Sequence, residues 1–194
     1  VRLIGEETFR VARERVDGSA PGVLARPLKS DEFQKALARQ KERMPAYQAM
    51  DQGDALMGRK LERQAAAQYQ RAAELFPGEG LFQTRQAMAE LAMNRPGEAL
   101  APAEAGASLS PAVYLCQHIA GLANLKSGRF GRAAPYFNQA GALLPQNSAA
   151  PLLAGLCYEK IGDRGQASLN YQRALRLDPK GEVGKLARQR LARL

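Results

Sequence analysis

The sequence has no tryptophan, only one histidine and only two cysteines, and these shortages exclude several classes of site. Neither an HExxH motif nor any multi-histidine metal site can be built around the single His118. The two cysteines, Cys116 and Cys157, do not have the CxxC spacing of zinc and redox motifs. Glycine-rich phosphate loops and nucleophile elbows are also absent. We therefore expect a non-catalytic protein that needs no cofactor and no metal.

Long apolar runs are absent as well. No stretch approaches the eighteen consecutive apolar residues of a membrane-spanning helix, so the sequence predicts no membrane span. The chain starts at Val1 without an apolar signal core. That start fits a mature or excised fragment and also an unusual start codon, and the sequence leaves both interpretations open.

Positive charge is in excess, with a formal net charge of +9, but its distribution is not that of a nucleic-acid site. Residues 1–45 carry ten Lys and Arg against seven acids (+3), residues 180–194 carry five against one (+4), and the residues between add +2. A phosphate-tracking surface needs a continuous basic stripe with stacking aromatics. We therefore predict no dedicated nucleic-acid site. The basic C-terminal residues are most simply a solvated helix face, and the alternative is docking to an acidic partner, anionic lipid or RNA.

A pattern of small and aromatic residues recurs every 34 residues and organises most of the chain. In its clearest copy, residues 148–179, two predicted helices are joined by a turn at 161–163. The three well-preserved copies contain Gly155, Ala167, Tyr171, Ala174 and Pro179; Gly121, Ala133, Phe137, Ala140 and Pro145; and Gly53, Ala65, Tyr69, Ala72 and Pro77. The remaining copy has Ala103 in place of the ring. Small residues let the helices approach, and the ring fills the wedge between their axes.

This pattern resembles the tetratricopeptide repeat (TPR) family. The resemblance implies an all-α solenoid of four helix–turn–helix repeats, which are 46–79, 80–113, 114–147 and 148–181. In the first repeat, Lys60 replaces the usual turn glycine. Cys116 and Cys157 fall in the first helices of the third and fourth repeats, seven residues out of register. That offset is roughly 10 Å of helix rise, so we expect two buried, reduced thiols and no disulfide.

The segments that flank the repeats are predicted to be helical too. Residues 1–45 form an N-terminal extension with a helix at 1–18, a linker at 19–29, and a second helix that starts at Ser30 and ends before Pro45. Residues 182–194 form a C-terminal capping helix with one apolar face and one basic face.

The TPR resemblance also predicts a binding surface, because the first helices of such repeats line a concave groove that holds a peptide or helix of another protein. Transferring the groove positions of the family gives Tyr47, Met50, Asp54, Leu81, Thr84, Arg85, Met88, Leu115, His118, Leu122, Lys126, Leu152, Leu156 and Lys160. Met50 and Asp54 occupy the first two slots of the carboxylate clamp of chaperone-binding TPR proteins, so that clamp is absent. The alternative for several of these leucines is an ordinary place in the core. His118 is expected to pack or to donate a groove hydrogen bond.

A narrower resemblance concerns short segments at the entry of the repeats. Phe33, Met44-Pro45-Ala46-Tyr47, Asp51-Gln52-Gly53, Leu81-Phe82 and Leu143-Leu144-Pro145 are similar to the TPR region of bacterial periplasmic zinc metalloproteases that act in outer-membrane protein quality control. This similarity implies a periplasmic adaptor or the detached TPR part of a protease, with a cytoplasmic location as the alternative. The zinc-binding half has no counterpart in this sequence. The sequence determines neither the partner nor the oligomeric state.

Overall fold

The computed structural model describes residues 30–194, and all regular secondary structure in that range is α-helical. The nine helices of this range are α1 (Ser30–Gly58), α2 (Glu62–Leu75), α3 (Gly80–Ala92), α4 (Pro96–Leu109), α5 (Tyr114–Lys126), α6 (Phe130–Leu143), α7 (Ala149–Lys160), α8 (Arg164–Leu177) and α9 (Glu182–Leu191). The predicted all-α class is confirmed. The predictions of a helix at 1–18 and a linker at 19–29 lie outside the described residues.

The helices form pairs that keep the period of the sequence. The second helix of each pair, α2, α4, α6 and α8, begins 34 residues after the one before it. From α2 to α9 each helix packs against the next, and the first helices α3 and α5 also contact each other. Residues 41–194 form one compact unit. The predicted solenoid of helix pairs is therefore observed in this unit.

Helix α1 runs without interruption through Pro45, so the prediction that a helix ends before this residue is wrong. A proline inside a helix removes one hydrogen bond and its ring crowds the preceding turn, at a cost of about 3 kcal/mol. Here Pro45 and Lys41 are exposed, so the carbonyl group that loses its partner can bind water. Ala46 and Ala49 follow at once and are buried against Phe82 of α3. This packing holds the second half of the helix in line.

Within three of the four pairs, an aromatic ring of the second helix packs on a glycine of the first. The contacts are Tyr69 on Gly53, Phe137 on Gly121 and Tyr171 on Gly155. All three rings are 1% exposed or less. A Cβ atom added at Gly121 or Gly155 would lie 2.7 Å from a ring carbon, so only glycine fits there. These contacts confirm the wedge that the sequence pattern predicts.

The pair α3–α4 lacks this ring, and its helices come together backbone against backbone. Ala87 and Ala103, which are fully buried, occupy the glycine and ring positions. About one turn after Ala103 in α4, Gly106 lies so close to α3 that an added Cβ atom would be 2.7 Å from the carbonyl oxygen of Gly80. The Thr84 hydroxyl fills the remaining space and donates to that same carbonyl at 2.8 Å. Small residues thus replace the wedge by close approach.

The turn inside each pair has one shared backbone conformation. Lys60, Asn94, Gly128 and Gly162, which lie 34 residues apart, have φ angles of 58°, 58°, 73° and 83°. The N–H group of the following residue donates to a carbonyl five residues back in all four turns, as in the Arg129–Asn124 bond of 2.8 Å. This is the Schellman ending of a helix, which needs a left-handed residue and therefore favours glycine. Lys60 and Asn94 adopt the same conformation at a steric cost.

We expect Lys60→Gly to raise the free energy of unfolding by about 1 kcal/mol. A left-handed residue with a side chain costs about 1–2 kcal/mol, and the greater freedom of glycine in the unfolded chain offsets part of that gain. Urea denaturation followed by circular dichroism measures the change. Lys60→Ala is the matched control, because it removes the charge but keeps the strain. An equal gain in both variants would show that the charge, and not φ, was unfavourable.

Helix α9 covers the open side of the last pair. Its apolar residues Val183, Leu186 and Ala187 pack against Tyr171 and its neighbours on α7 and α8. The Asp178 carboxylate accepts hydrogen bonds from the backbone N–H groups that begin the helix, including that of Gly181 at 2.8 Å. Its last turn is also fixed, since Arg190 pairs with Glu159 of α7 at 3.3 Å. The basic face of α9 is therefore partly engaged within the protein.

Candidate partner-binding groove

The fourteen predicted groove residues lie on the first helix of each pair, that is, on α1, α3, α5 and α7. Their burial divides them into three groups. Thr84 and Leu152 are buried, and Lys126 and Lys160 are exposed. The half-buried residues are Tyr47, Met50, Asp54, Leu81, Arg85, Met88, Leu115, His118, Leu122 and Leu156. Most of the predicted surface is therefore partly open to solvent and partly packed.

Two of the predicted groove residues, Thr84 and Leu152, lie in the interior, so their side chains are closed to solvent. Thr84 is fully buried between α3 and α4, where its hydroxyl lies against Gly106. Leu152 is 7% exposed and packs with Tyr171 and Ala187 in the core below α9. The crossing angle of neighbouring helices decides how deeply a residue of a first helix is buried. The sequence pattern does not give this angle, so it did not reveal that both side chains point between helices.

The apolar groove residues have two roles. Met88, Leu115 and Leu122 pack against the alanine-rich core formed by α3, α4 and α5. Leu156 packs in the same way against the core of the last pair. None of the four is fully buried, so each also offers part of its side chain to solvent. Each of these side chains therefore packs against the core with one side and faces solvent with the other.

The N-terminal end of the predicted groove is held by polar contacts within the protein. Asp54 accepts a hydrogen bond from the Tyr69 hydroxyl at 2.6 Å and pairs with Arg85 at 3.7 Å. Burial and the bond to Asp54 raise the pKa of Tyr69 above its ordinary value. Tyr47 contacts Phe82 edge-on, with 5.2 Å between the ring centres, and its hydroxyl donates to Glu79 at 3.3 Å. The charges at this end are therefore largely balanced.

The C-terminal end of the predicted groove carries two exposed lysines. Lys126 and Lys160 stand at the same place in the last turns of α5 and α7. Among residues 30–194, no acidic group lies within salt-bridge distance of either ammonium group. Each lies one helical turn beyond an apolar groove residue, Leu122 or Leu156, and so shares its face of the helix. This end therefore combines apolar contact area with unpaired cations.

His118 is part of an aromatic stack. Its ring lies parallel to that of Tyr114 at 5.3 Å and edge-on to that of Phe137 at 5.8 Å, measured between ring centres. Burial lowers the pKa of His118, so the ring is neutral at neutral pH. The Nδ1 atom is buried without a hydrogen-bond partner among the described residues. The packing role expected from the sequence agrees with this position.

The chemistry of a metal or redox site is not found in residues 30–194. This range contains no group of three or more His, Cys, Asp or Glu side chains that could hold a metal ion. Cys116 and Cys157 are fully buried free thiols, and burial raises the pKa of Cys157 to about 12. Such thiols are poor nucleophiles because the reactive thiolate is disfavoured. None of the helices in this range is long and apolar enough to cross a bilayer.

Sequence reasoning missed one polar network beside the predicted groove. The Tyr171 hydroxyl donates to Glu159, whose carboxylate also pairs with Arg190 of the closing helix. Burial and the bond to Glu159 raise the pKa of Tyr171. This network could have been predicted, because the hydroxyl group of a buried tyrosine needs a hydrogen-bond acceptor. Asp54 is the acceptor for the hydroxyl group of Tyr69 in the first pair. Phe137, the wedge residue of the third pair, has no hydroxyl group and therefore requires no acceptor.

Comparison with solved structures identifies the fold. YrrB, described as a TPR protein with an unusual peptide-binding site, superposes with a TM-score of 0.66 at 14% identity, over 94% of this chain and 86% of YrrB. A crystal structure of MamA gives a TM-score of 0.64 at 18% identity, over 72% of this chain and 84% of that chain. A MamA structure from Desulfovibrio magneticus RS-1 gives 0.62 at 17% identity, over 94% and 99%. No protein-family model and no curated protein matches the sequence. The 34-residue helix pairs, the ring-on-glycine wedges and these superpositions together show that the chain has the fold of a tetratricopeptide repeat solenoid.

Proposed function

We propose that the protein is a non-catalytic scaffold that binds a segment of a partner protein along the first helices of its repeats. The observation that carries the proposal is the C-terminal half of the groove, where the half-buried Leu122 and Leu156 lie beside the exposed Lys126 and Lys160, which have no acidic partner among residues 30–194. An apolar strip of this kind suits an extended peptide or an amphipathic helix, and the cations select its polar side.

The fold neighbours support this proposal in a general way. YrrB is described as having a peptide-binding site, although the low identity between the two chains transfers no residue role. Within residues 30–194, the absence of a metal-binding cluster and the deep burial of both thiols fit a scaffold better than an enzyme. The alternative surface, the basic face of α9, is partly engaged within the protein, because Arg190 pairs with Glu159, whereas the pair of Lys185 with Glu182 is open to solvent.

Site-specific photo-crosslinking tests the proposal. A photoreactive amino acid at Lys126 lies on the groove, and the same amino acid at Leu169, which is 56% exposed on α8, is the matched control. We expect the groove position to crosslink to one defined segment of a partner, identified by mass spectrometry of the crosslinked peptide. The control position should give little or no product. Equal crosslinking at both positions, or none at Lys126, would contradict the proposal.

A second pair of variants separates binding from folding. Because Leu122 and Leu156 also pack inward, a charged residue at either position is expected to unfold the pair. Lys126→Glu changes only an exposed position and should reduce capture of the crosslinked segment while leaving the helical content unchanged. Reversal of the exposed Lys185 and Arg188 on α9 should leave capture intact. If the α9 variant loses the partner and Lys126→Glu keeps it, the basic helix is the working surface.

The cellular setting stays a prediction from the sequence. We propose an envelope-associated adaptor, on the similarity of the segments around Met44 and Leu81 to the TPR region of periplasmic metalloproteases. Fractionation of cells that carry the chromosomally tagged protein tests this. Recovery with periplasmic markers supports it, and recovery with cytoplasmic markers overturns it.

A further inference from the structure

A shallow hollow lies at the turns of the third and fourth helix pairs, away from the predicted groove residues. It has a volume of about 540 Å³ and is lined by Gly128, Arg129, Phe130, Gly131, Arg132 and Ile161. We call these six residues the turn hollow. They belong to the turn before α6, the first three residues of α6 and the turn after α7, so the surface lies across two neighbouring repeats.

The two apolar side chains of the turn hollow, Ile161 and Phe130, are not residues that recur in every repeat. Ile161 is 50% exposed, although a large aliphatic side chain gains stability from burial. Phe130 packs with one side on the core between α6 and α7 and leaves the other side open. The other pairs have no β-branched aliphatic residue or aromatic ring at these two positions. The equivalent residues are Arg59, Met93 and Ser127 for Ile161, and Glu62, Pro96 and Arg164 for Phe130. The repeat itself does not demand an apolar pair here.

The charged part of the turn hollow works against the stability of α6. Arg129 and Arg132 flank the first turn of this helix, where the helix dipole favours acids and disfavours cations by about 0.3–1 kcal/mol each. The other second helices have an acid at this place, namely Glu62, Glu98 and Asp163. Within residues 30–194, neither arginine has an acidic group at salt-bridge distance. Within the part of the chain that the structure describes, this positive charge has no acidic partner and opposes the helix dipole.

The adjacent turn adds no net charge, because Arg164, which begins α8, follows directly on Asp163. The positive charge of the hollow therefore comes from Arg129 and Arg132. The two glycines of the hollow leave its floor open, since a Cβ atom at Gly128 or Gly131 would meet no other atom within 4 Å. The backbone there is accessible to a bound chain.

We propose that the turn hollow is a second docking site, which binds an acidic peptide segment that carries one or two aliphatic or aromatic side chains. Carboxylates of the segment pair with Arg129 and Arg132, whose planar guanidinium groups can hold a carboxylate through two parallel hydrogen bonds. An apolar side chain between those carboxylates covers Ile161 and the open side of Phe130 and removes their surface from water. Charge complementarity selects the acidic segment over a neutral or basic one. The site shares no residue with the groove and does not depend on it.

Fluorescence anisotropy with a labelled peptide, Glu-Asp-Leu-Phe-Asp-Glu, tests the site on the full chain. We expect saturable binding at low ionic strength that weakens as salt is added. The double variant Arg129→Glu, Arg132→Glu should weaken binding by about tenfold or more. Its matched control reverses two exposed arginines of α2, Arg63 and Arg71, and should leave the affinity unchanged within about twofold. An equal loss in both double variants would mean general charge attraction and would overturn the site.

A variant that fills the hollow tests its shape without changing its charge. Gly131→Gln places a side chain in open space at an ordinary helical residue, so it should fold normally and weaken peptide binding by about tenfold. Gly165→Gln at the equivalent position of α8 is the control and should bind as the unmodified protein does. Unchanged binding by the filled variant overturns the proposal, as does equal binding of a peptide with two alanines in place of its Leu and Phe. Because the groove variants lie elsewhere, this result is independent of the groove experiment.

Discussion

Replacing Tyr171 with alanine is expected to lower the free energy of unfolding by about 3–5 kcal/mol. The ring is fully buried and fills the wedge between α7 and α8 against Gly155. Its removal leaves a cavity that the surrounding helices can only partly close, and it also frees Glu159 from the hydroxyl group. Because α9 packs against the same cluster of buried residues, it should lose stability together with α7 and α8. Urea denaturation, with hydrogen exchange to locate the loss, measures both effects.

Two matched substitutions separate the ring from the hydroxyl group of Tyr171. Tyr171→Phe keeps the ring and should cost only about 1.5–3 kcal/mol, the range for a hydrogen bond to a charged group. The third pair already has Phe137 in this position, so the wedge itself accepts phenylalanine. Leu169→Ala changes an exposed neighbour on the same helix and should cost little. If Tyr171→Ala costs no more than Leu169→Ala, the wedge role is wrong.

Replacing Gly106 with leucine is expected to cost about 3 kcal/mol or more, because α3 and α4 touch at this point. The new side chain would have to occupy space already filled by the Gly80 carbonyl group and the Thr84 side chain. A backbone carbonyl cannot move aside as the end of a flexible side chain can, so the helices must separate. Separation would also expose Ala103, which is fully buried between the two helices. A fall in the urea midpoint, with faster exchange in α3 and α4, is the expected result.

The control for Gly106 lies in the same helix. Gly97 is exposed near the start of α4, and a Cβ atom there would meet nothing within 4 Å. Gly97→Ala should therefore raise the free energy of unfolding by about 0.5–1 kcal/mol, as alanine is the better helix former. Loss of stability in both variants would show that α4 needs glycine for backbone freedom. Tolerance of leucine at Gly106 would show that the two helices are not in tight contact.

The two large effects describe two ways to join a pair of helices. In the first, third and fourth pairs a ring fills the wedge, and in the second pair the ring is absent and glycine brings the backbones together. A stack whose repeats contact only their neighbours loses stability locally when one such junction fails. Groove residues depend on these junctions, because Leu122 and Leu156 lie on first helices that the junctions hold in place.

The period and the chemistry of the wedge could be predicted from the sequence because they are local. A glycine and a ring 16 residues apart, as in Gly155 and Tyr171, must face each other once two helices fold back across a short turn. The left-handed turn at Gly162 and the proline after α8 follow from backbone sterics alone. The fold class, the helix pairs and the C-terminal helix α9 could therefore be predicted from the sequence without tertiary information.

Only the tertiary structure decided which surface is open. The burial of Thr84 and Leu152 depends on how closely neighbouring helices approach, which in turn depends on the sizes of many side chains at once. The continuation of α1 through Pro45 depends on packing of the following alanines that outweighs a local penalty. The turn hollow needs Arg129 and Ile161, which lie in different repeats, to come together. Such outcomes are sums of non-local contacts, whereas the sequence pattern records only which residues share a helix face and a turn.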